Sequence, residues 1–429
     1  MEEQIWLILN TIWDFLRTWW WVIIPFILIK PFLFLYLWWR NSVWLDKIRF
    51  ILLEIKPPKE VLRPIKAMET VFNGLWHFYD PPNYREKWFE GKMQLGFSLE
   101  IACLGGKPHF FIRIPENLRN LVESTLYSQY PDLEIKEVDD YTKYIPQDVP
   151  NKEWEIWGCD YDQLKDDVYP IKTYSKFFEE RPEVAKEEKR IDPISNLLEG
   201  MAKFKPEEQL WVQIMAKPVS HLEESKDFIE KAKKEVDKLV NRPKPPVPKP
   251  IVEEAVGVLV TGKPPAEPEK KERAILPEME LTPGEKKVVA AVEDKISKYA
   301  FECSVRFLQL GKRNVFFSAN KAIPMGFFDL FGTADLNGLK PMKKTITKVH
   351  TIWLWFLDNR RVYVRKRKMF RNFIERLSPF FPFPGGNFIL NIEELASIYH
   401  FPGRGVTAAP AISRVEAKRG EAPPELPTE

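Results

Sequence analysis

One stretch limits what this chain can be before any fold is considered. From Thr18 to Trp39, TWWWVIIPFILIKPFLFLYLWW carries a single charge, Lys30. As a helix, Trp19–Trp39 rises about 31 Å, close to the thickness of a bilayer's hydrocarbon core. Trp19, Trp20 and Trp21 at one end, and Trp38 and Trp39 at the other, stand where amphipathic rings meet the two interfaces. A signal peptide starts basic and ends on small residues; this run follows Glu2 and Glu3 and leads to no such site. Helices of soluble cores are seldom apolar all round. The run is therefore expected to be a transmembrane anchor over 18–40.

Lys30 at mid-span costs roughly 3 kcal/mol unless it snorkels or finds a partner. Pro25 and Pro31 bracket it, which leaves a kinked span or a hairpin open. Upstream, Ile5, Leu9, Ile12 and Leu16 recur at helical spacing beside Trp6 and Trp13, predicting an interfacial amphipathic helix over 1–17. Arg40, Lys47, Arg49, Lys56 and Lys59 flank the run on one side and Arg17 alone on the other. Basic flanks stay cytoplasmic, so the bulk of the chain is expected there. Cys103, Cys159 and Cys303 lie far apart, with neither metal spacing nor a disulfide framework, which suits a reducing compartment.

Beyond the anchor the hydrophobic period changes repeatedly. RFILLEI reads as a strand, with an amphipathic helix continuing from the membrane as the rival, and Val61–Tyr79 as a helix with Ile65, Met68, Val71, Phe72 and Leu75 on one side. MQLGFSLEIACLGGKPHFFIRI gives two strands joined at Gly105-Gly106. A helix follows Pro115, carried by Leu118, Leu121, Val122, Leu126 and Tyr130, and LEIKEVDDY supplies a last strand. Strand, helix, strand, strand, helix, strand is the ferredoxin-like arrangement, expected over 45–145. Residues 146–208 read as an irregular connector. A second α+β module is expected over 209–390: the strand LWVQIMAKP, a helix opened by a Ser220/Glu223 capping box, a helix opened by Thr282-Pro283-Gly284-Glu285, and the strand YAFECSVRFLQL. In that last strand Phe301, Cys303, Val305 and Phe307 alternate with Glu302, Ser304 and Arg306. Ten prolines between Arg242 and Pro283, with no aromatic residue from Ile229 to Lys298, predict a disordered tether over 242–283. The expected class is α+β: a transmembrane helix, one or two ferredoxin-like cytoplasmic modules, and a Pro-rich insertion.

Chemistry-bearing patterns are few. GGKPHF, TGKPPA, GEKKVV and LGKRNV each lack the spacing or the Ser/Thr of a phosphate-cradling loop. His77, His109, His221, His350 and His400 have no second ligand at i+3 or i+4. Asp139-Asp140 and Asp166-Asp167 read as solvated loops rather than acid/base pairs. No cofactor and no enzymatic activity are expected. A net charge of +3 implies no polyanion partner by itself, so any such argument rests on local clustering. The densest cluster is RRVYVRKRKMFRNFIER, with Arg360, Arg361, Arg365, Lys366, Arg367, Lys368 and Arg371. On a helix Arg361, Arg365 and Lys368 share a side, while Val364, Met369, Phe370, Phe373 and Ile374 form an apolar face. Such a helix can neutralise phosphates in a salt-sensitive manner, lie near anionic lipid, or be an ordinary solvated face.

Near the C-terminus, NFILNIEELASIYHFPG carries Glu393-Glu394-Leu395-Ala396 and His400-Phe401-Pro402. With the Arg- and Pro-rich passage that follows, it resembles the segment leading into the motor of HerA/FtsK-like ATPases of conjugation and type IV secretion systems, including coupling proteins. FSLEIACLGGKPHFFIRIPENLRNLVESTLYSQYPDLEIKEVDDY and FFDLFGTADLNGLKP are similar to their membrane-proximal region. The resemblance runs in order over most of 45–427, and its motifs include nothing catalytic. Since no motor sequence follows here, it implies a non-enzymatic inner-membrane subunit of a bacterial translocation machine that docks a P-loop ATPase in trans. Glu393, Glu394, Leu395, His400, Phe401 and Pro402 would be the docking residues of a motor-proximal segment over 391–429. A ring-shaped homo-oligomer is implied in the same way. Local folding accounts for much of the same pattern: Asn391 with Glu394 makes a capping box, and Pro402-Gly403 ends the helix. A membrane-tethered DNA-binding protein acting without a motor, and a generic envelope scaffold, are the alternatives.

Overall fold

Gly105 and Gly106 set the first hairpin. Both hold positive φ, 60° and 80°, which glycine adopts without steric cost. They join β2 (Phe97–Leu104) to β3 (Lys107–Pro115), with Leu104 opposite Lys107. The structure, a computed structural model, describes residues 2–58, 61, 63–177, 192–220, 226–240, 281–350 and 355–403. Most of the predicted tether (241–280), the capping partner Glu223 and the tail 404–429 lie outside the described residues.

β1 (Phe50–Lys56), α2 (Lys66–Leu75), β2, β3, α3 (Arg119–Gln129) and β4 (Glu134–Val138) follow one another in the predicted order. Their strands pair antiparallel in the order β4-β1-β3-β2. The stretch read as a connector contains two further elements, β5 (Trp154–Gln163) and α4 (Pro193–Met201). They belong with β6 (Glu208–Pro218), β7 (Ala300–Lys312), α7 (Ala322–Asp329) and β8 (Leu339–Pro341). These strands stand in the order β6-β7-β5-β8. Numbered within each half, the two orders are 4-1-3-2 and 2-3-1-4, so the second half repeats the first about a local two-fold. The seam is the antiparallel pair β2·β6, from Phe97 opposite Ala216 to Cys103 opposite Leu210. Where the first half has its glycine turn, the second inserts α5 (Lys226–Leu239) and α6 (Pro283–Ser297). Thr282 and Glu285 form the expected reciprocal cap of α6.

Both sheet faces are covered. On one lie α2, α3, α4, α7 and α9 (Ile392–Ile398), in a core with Phe72, Leu126, Leu197, Phe328 and Leu395. On the other lies α8 (Asp358–Ile374), whose Met369, Phe370 and Phe373 pack with Trp211, Leu308 and Ile156. A strand covered on both faces has no solvent side. That is why Ser304 and Arg306, which alternate with the apolar residues of β7, are 2% and 0% exposed. It also explains β5, where Gly158 and Asp160 interrupt the apolar run at positions the packing requires. A Cβ at Gly158 would lie 2.4 Å from Leu308 Cδ2.

The N-terminal segment is one helix, α1 (Glu2–Leu45), with Pro25 and Pro31 inside it. An interfacial helix and a separate span were expected; no break divides them. Each proline removes a single helical hydrogen bond, and in an apolar segment the remaining backbone groups still pair best within the helix. Arg17–Leu45 is long and apolar enough to cross a membrane, and none of its most apolar window is buried inside the molecule.

A basic helix, a buried charge row and a clamped C-terminal segment

Four central strands each carry one polar residue at mid-strand, and the register aligns them. Glu100 of β2 faces Gln213 of β6, Gln213 faces Arg306 of β7, and Arg306 faces Asp160 of β5. All four are at most 1% exposed. Buried polar groups need partners, and the end of α8 supplies one to Glu100, to Gln213 and to Arg306. Gln213 Nε2 donates to the Phe373 carbonyl at 3.2 Å, and an Arg306 guanidinium N–H donates to the Leu377 carbonyl. Arg376 sends two N–H groups to the Glu100 carboxylate at 3.0 and 3.1 Å and others to Asp140. Glu100 also accepts from Tyr141 Oη at 2.7 Å and Ser98 Oγ at 2.8 Å. Burial alone would raise its pKa; Arg376 and these hydrogen bonds reverse that, and the carboxyl is held below the ordinary range. Asp160 is the opposite case. Burial pushes it up, and Arg306 offsets only part of the effect.

Arg376 reaches this position through a left-handed backbone, φ 55°. Its N–H bonds to the Phe373 carbonyl at 3.2 Å and that of Leu377 to Asn372 at 2.9 Å, the paired closure of a Schellman motif. Glycine is the usual occupant of this site. Here an arginine is held in the strained conformation because its guanidinium neutralises the acids beneath.

The outer side of α8 holds the predicted nucleic-acid contacts, and they divide. Arg365 donates to the carbonyls of Lys343 and Ile346 at 3.3 and 3.0 Å, and Lys366 pairs with Glu155 at 2.7 Å. Arg367 is exposed but sends one N–H to the Asp148 carbonyl at 2.9 Å, and Arg361 is half-buried. Arg361, Arg365 and Lys368 therefore do not form one free side. The exposed stripe is instead Arg360, Arg367, Lys368 and Arg371, with Lys343, Lys344 and Lys348 exposed on the neighbouring loop. Exposed Tyr363, Trp355 and Phe356 lie at the helix's N-terminal end. An open groove of about 620 Å³ runs between α8 and the segment leading into β5, lined among others by Asp148, Lys152, Glu155, Arg313, Tyr363 and Lys366.

The predicted docking residues are built into the domain. Following β9 (Phe388–Asn391), which pairs with the start of β7, every residue of α9 is buried. Asn391 and Glu394 cap one another at 2.8 Å in both directions. Glu394 also accepts from the Ile171 N–H at 2.8 Å and lies 3.1 Å from Lys295 Nζ, both side chains having no exposure. Burial pushes the Glu394 carboxyl up, with Lys295 opposing. Glu393 binds Lys298 and Ser175. His400 meets the Asp192 carboxylate at 2.7 Å and the Ala396 carbonyl at 2.9 Å. Asp192 itself caps α4 through the Ile194 N–H and accepts from the Gly403 N–H at 3.0 Å. Leu395 is fully buried, Pro402 is buried, and the Phe401 ring stands edge-on to Phe110 and Tyr130. These six side chains fasten the segment to its own domain and leave none of them as a protruding docking surface.

Trp19, Trp20, Trp21, Trp38 and Trp39 are exposed along α1, as is Lys30. Sequence reasoning passed over the domain's grip on this helix: Tyr36 Oη donates to the Trp88 carbonyl at 3.1 Å, and Phe34 stacks on Phe383. Cys103, Cys159 and Cys303 are buried free thiols, and burial pushes that of Cys103 up to about 12. Among the described residues no group of three or more His, Cys, Asp or Glu is placed to hold a metal ion.

Residues 51–316 match the family described as a domain of unknown function (DUF8128). The match begins in β1 and ends just past β7, outside α1, α8 and α9. A search of curated proteins found no match.

Proposed function

We propose that this chain, which belongs to the DUF8128 family, is a non-enzymatic, membrane-anchored platform of a conjugation- or type IV secretion-like translocation machine. It sits in a bacterial inner membrane through α1, with its bulk in the cytoplasm. Its body is a duplicated ferredoxin-like domain interrupted by a Pro-rich stretch of sequence, and it forms a homo-oligomer that works with a HerA/FtsK-like P-loop ATPase on another polypeptide. The observation that carries this reading is the double fastening of the body. α1 is gripped near its C-terminal end, and the segment 391–403 is clamped by Lys295–Glu394 and Asp192–His400. Whatever follows Gly403 thus leaves from a point fixed relative to the anchor, as a motor platform requires. Because the resembling side chains face inward, the motor is met by the surface around this exit and by the chain beyond it. Co-purification of the full-length chain with its partners from gently solubilised membranes tests the proposal.

A second reading is favoured by the exposed stripe on α8: a membrane-tethered DNA-binding protein acting without a motor. Four cations on one helix, with three lysines beside them, can neutralise several phosphates. This predicts binding of duplex DNA by the purified full-length protein that falls steeply with salt. Replacing Arg360, Lys368 and Arg371 together by Ala lowers the log–log salt slope by about 2–3, at roughly 0.9 for each phosphate no longer neutralised. The triple variant spares Arg365, Lys366 and Arg367, the basic residues tied to the domain, and so keeps its fold. No binding at low salt, or an unchanged slope, removes this reading.

A further inference from the structure

The segment Tyr84–Gly91 and the tip of the 380–386 loop share an unusual property. They expose large aromatic side chains although they lie against α1. Tyr84, Phe89 and Phe383 are 77%, 66% and 64% exposed. Soluble surfaces carry isolated apolar side chains, but large exposed rings on two segments that both touch one apolar helix mark an interaction site.

The contacts to α1 fix where this set stands. Phe383 stacks on Phe34 with ring centroids 5.8 Å apart and planes within 7°. Tyr36 Oη reaches the Trp88 carbonyl at 3.1 Å. Gly91, at φ +74°, lies so close that a Cβ there would fall 2.3 Å from the Arg40 carbonyl oxygen. Phe34 is one helical turn, about 6 Å, from Trp38 toward the middle of the apolar run. The Phe383 ring therefore stands deeper along α1 than the tryptophans expected at the interface.

The segment is also held in shape. Asn83 and Glu86 exchange backbone-to-side-chain hydrogen bonds at 2.9 Å in each direction. Lys92 pairs with Asp80 at 3.0 Å and with Glu86 at 3.5 Å. Arg85 and Lys87, both exposed, alternate with Tyr84 and Phe89. Aromatic rings interleaved with basic heads suit the headgroup layer of a bilayer, where one end of a side chain is apolar and the other wet.

We propose that Tyr84, Phe89 and Phe383 form an aromatic collar that enters the same bilayer leaflet as Trp38 and Trp39, giving the domain a second contact with the membrane and a fixed tilt on its surface. The proposal rests on the reading of α1 as a membrane anchor and goes beyond it. Only residues 46–49 separate α1 from β1, and with the collar seated the domain is no longer a body swinging on a leash.

The test uses the full-length protein in lipid nanodiscs containing lipids with brominated acyl chains as quenchers. Single labels of an environment-sensitive fluorophore are placed by Phe89→Cys, Phe383→Cys, Trp38→Cys and Phe317→Cys. The three native cysteines are buried and stay unlabelled. Phe317 is 62% exposed and follows the far end of β7, about 40 Å along the strand from its start, where the Phe97–Phe301 contact lies on the α1 side. The expected result is quenching of Phe89→Cys and Phe383→Cys to the extent seen for Trp38→Cys, with Phe317→Cys unaffected. Quenching at Trp38→Cys alone overturns the collar and leaves the anchor standing. No quenching at any site overturns both. Quenching at Phe317→Cys as strong as at the others also overturns the collar, since it shows immersion without a defined footprint.

Discussion

Replacing Arg376 by Met lowers the unfolding free energy of the domain by about 3–5 kcal/mol, the usual cost of removing one partner from a buried charge cluster. Glu100 has no exposure and Arg376 only 5%. The substitution therefore leaves a carboxylate in the core with the neutral donors Tyr141, Ser98 and Gln213. Lysine does not rescue, because one ammonium cannot reproduce the forked contact to Glu100 and Asp140. Adding Glu100→Gln to Arg376→Met recovers a large part of the loss, since a neutral amide needs no cation. The sign of the pH dependence follows. Glu100 and Asp140 are held below their ordinary values, so their contribution is present above about pH 4 and is lost as pH falls through the lower folded-state values. The gap between wild type and Arg376→Met accordingly narrows in acid. Denaturant titrations of the purified full-length chain at neutral and acid pH measure it. A neutral-pH change under about 1 kcal/mol would show that the row is solvated and that α8 is held by its apolar face alone.

Glu394→Ala is the second large effect, again about 3–5 kcal/mol. It strands the Lys295 ammonium in the core and frees the N–H groups of Ile171 and Asn391. The pair itself stands at a cost, for burial pushes Glu394 up despite Lys295. Glu394→Met combined with Lys295→Met is thus expected to recover part of the loss by removing the stranded charge, while the N–H groups of Ile171 and Asn391 stay unpaired. Hydrogen exchange separates the outcomes: Glu394→Ala should release α9 and the start of α4 together, through the His400–Asp192 contact. Undiminished protection of both would mean that this clamp does not hold the segment. Substituting Leu395, His400 or Phe401 disturbs the same packing, so losing a partner in such variants would not by itself locate the docking surface.

The elements of the first half were legible because each has its own local signal: the period of β2 and β3, the Gly105-Gly106 turn, the proline ahead of α3. β5 gave no such signal. Its pattern W-E-I-W-G-C-D-Y-D-Q mixes a glycine explained by the close approach of Leu308 and the Phe307 carbonyl with an aspartate explained by Arg306. The apolar face of α8 was visible as Met369, Phe370, Phe373 and Ile374; the surface that receives it was not, since that surface is assembled from four strands distant in sequence. One sign was available. FSLEIACL, LWVQIMAKP, VRFLQL and IWGCDYD each set a polar or charged residue (Glu100, Gln213, Arg306, Asp160) inside an apolar run, and residues of that kind repeated over several strands point to a common row. For the C-terminal segment the Asn391–Glu394 cap was readable, while its burial depended on Lys295, Ile171 and Asp192, which no local pattern connects to it. The membrane-facing aromatics of 84–91 were overlooked because their meaning lies in their contact with α1, not in their spacing.

As proposed above, this chain is a fixed platform for a motor carried on another polypeptide. The most direct measurement is affinity purification of the tagged full-length chain from membranes under gentle detergent conditions, with its partners identified by mass spectrometry and their stoichiometry determined. The account predicts a P-loop ATPase recovered in fixed ratio with an oligomer of this chain. An intact oligomer recovered from the membrane fraction without any ATPase would contradict it.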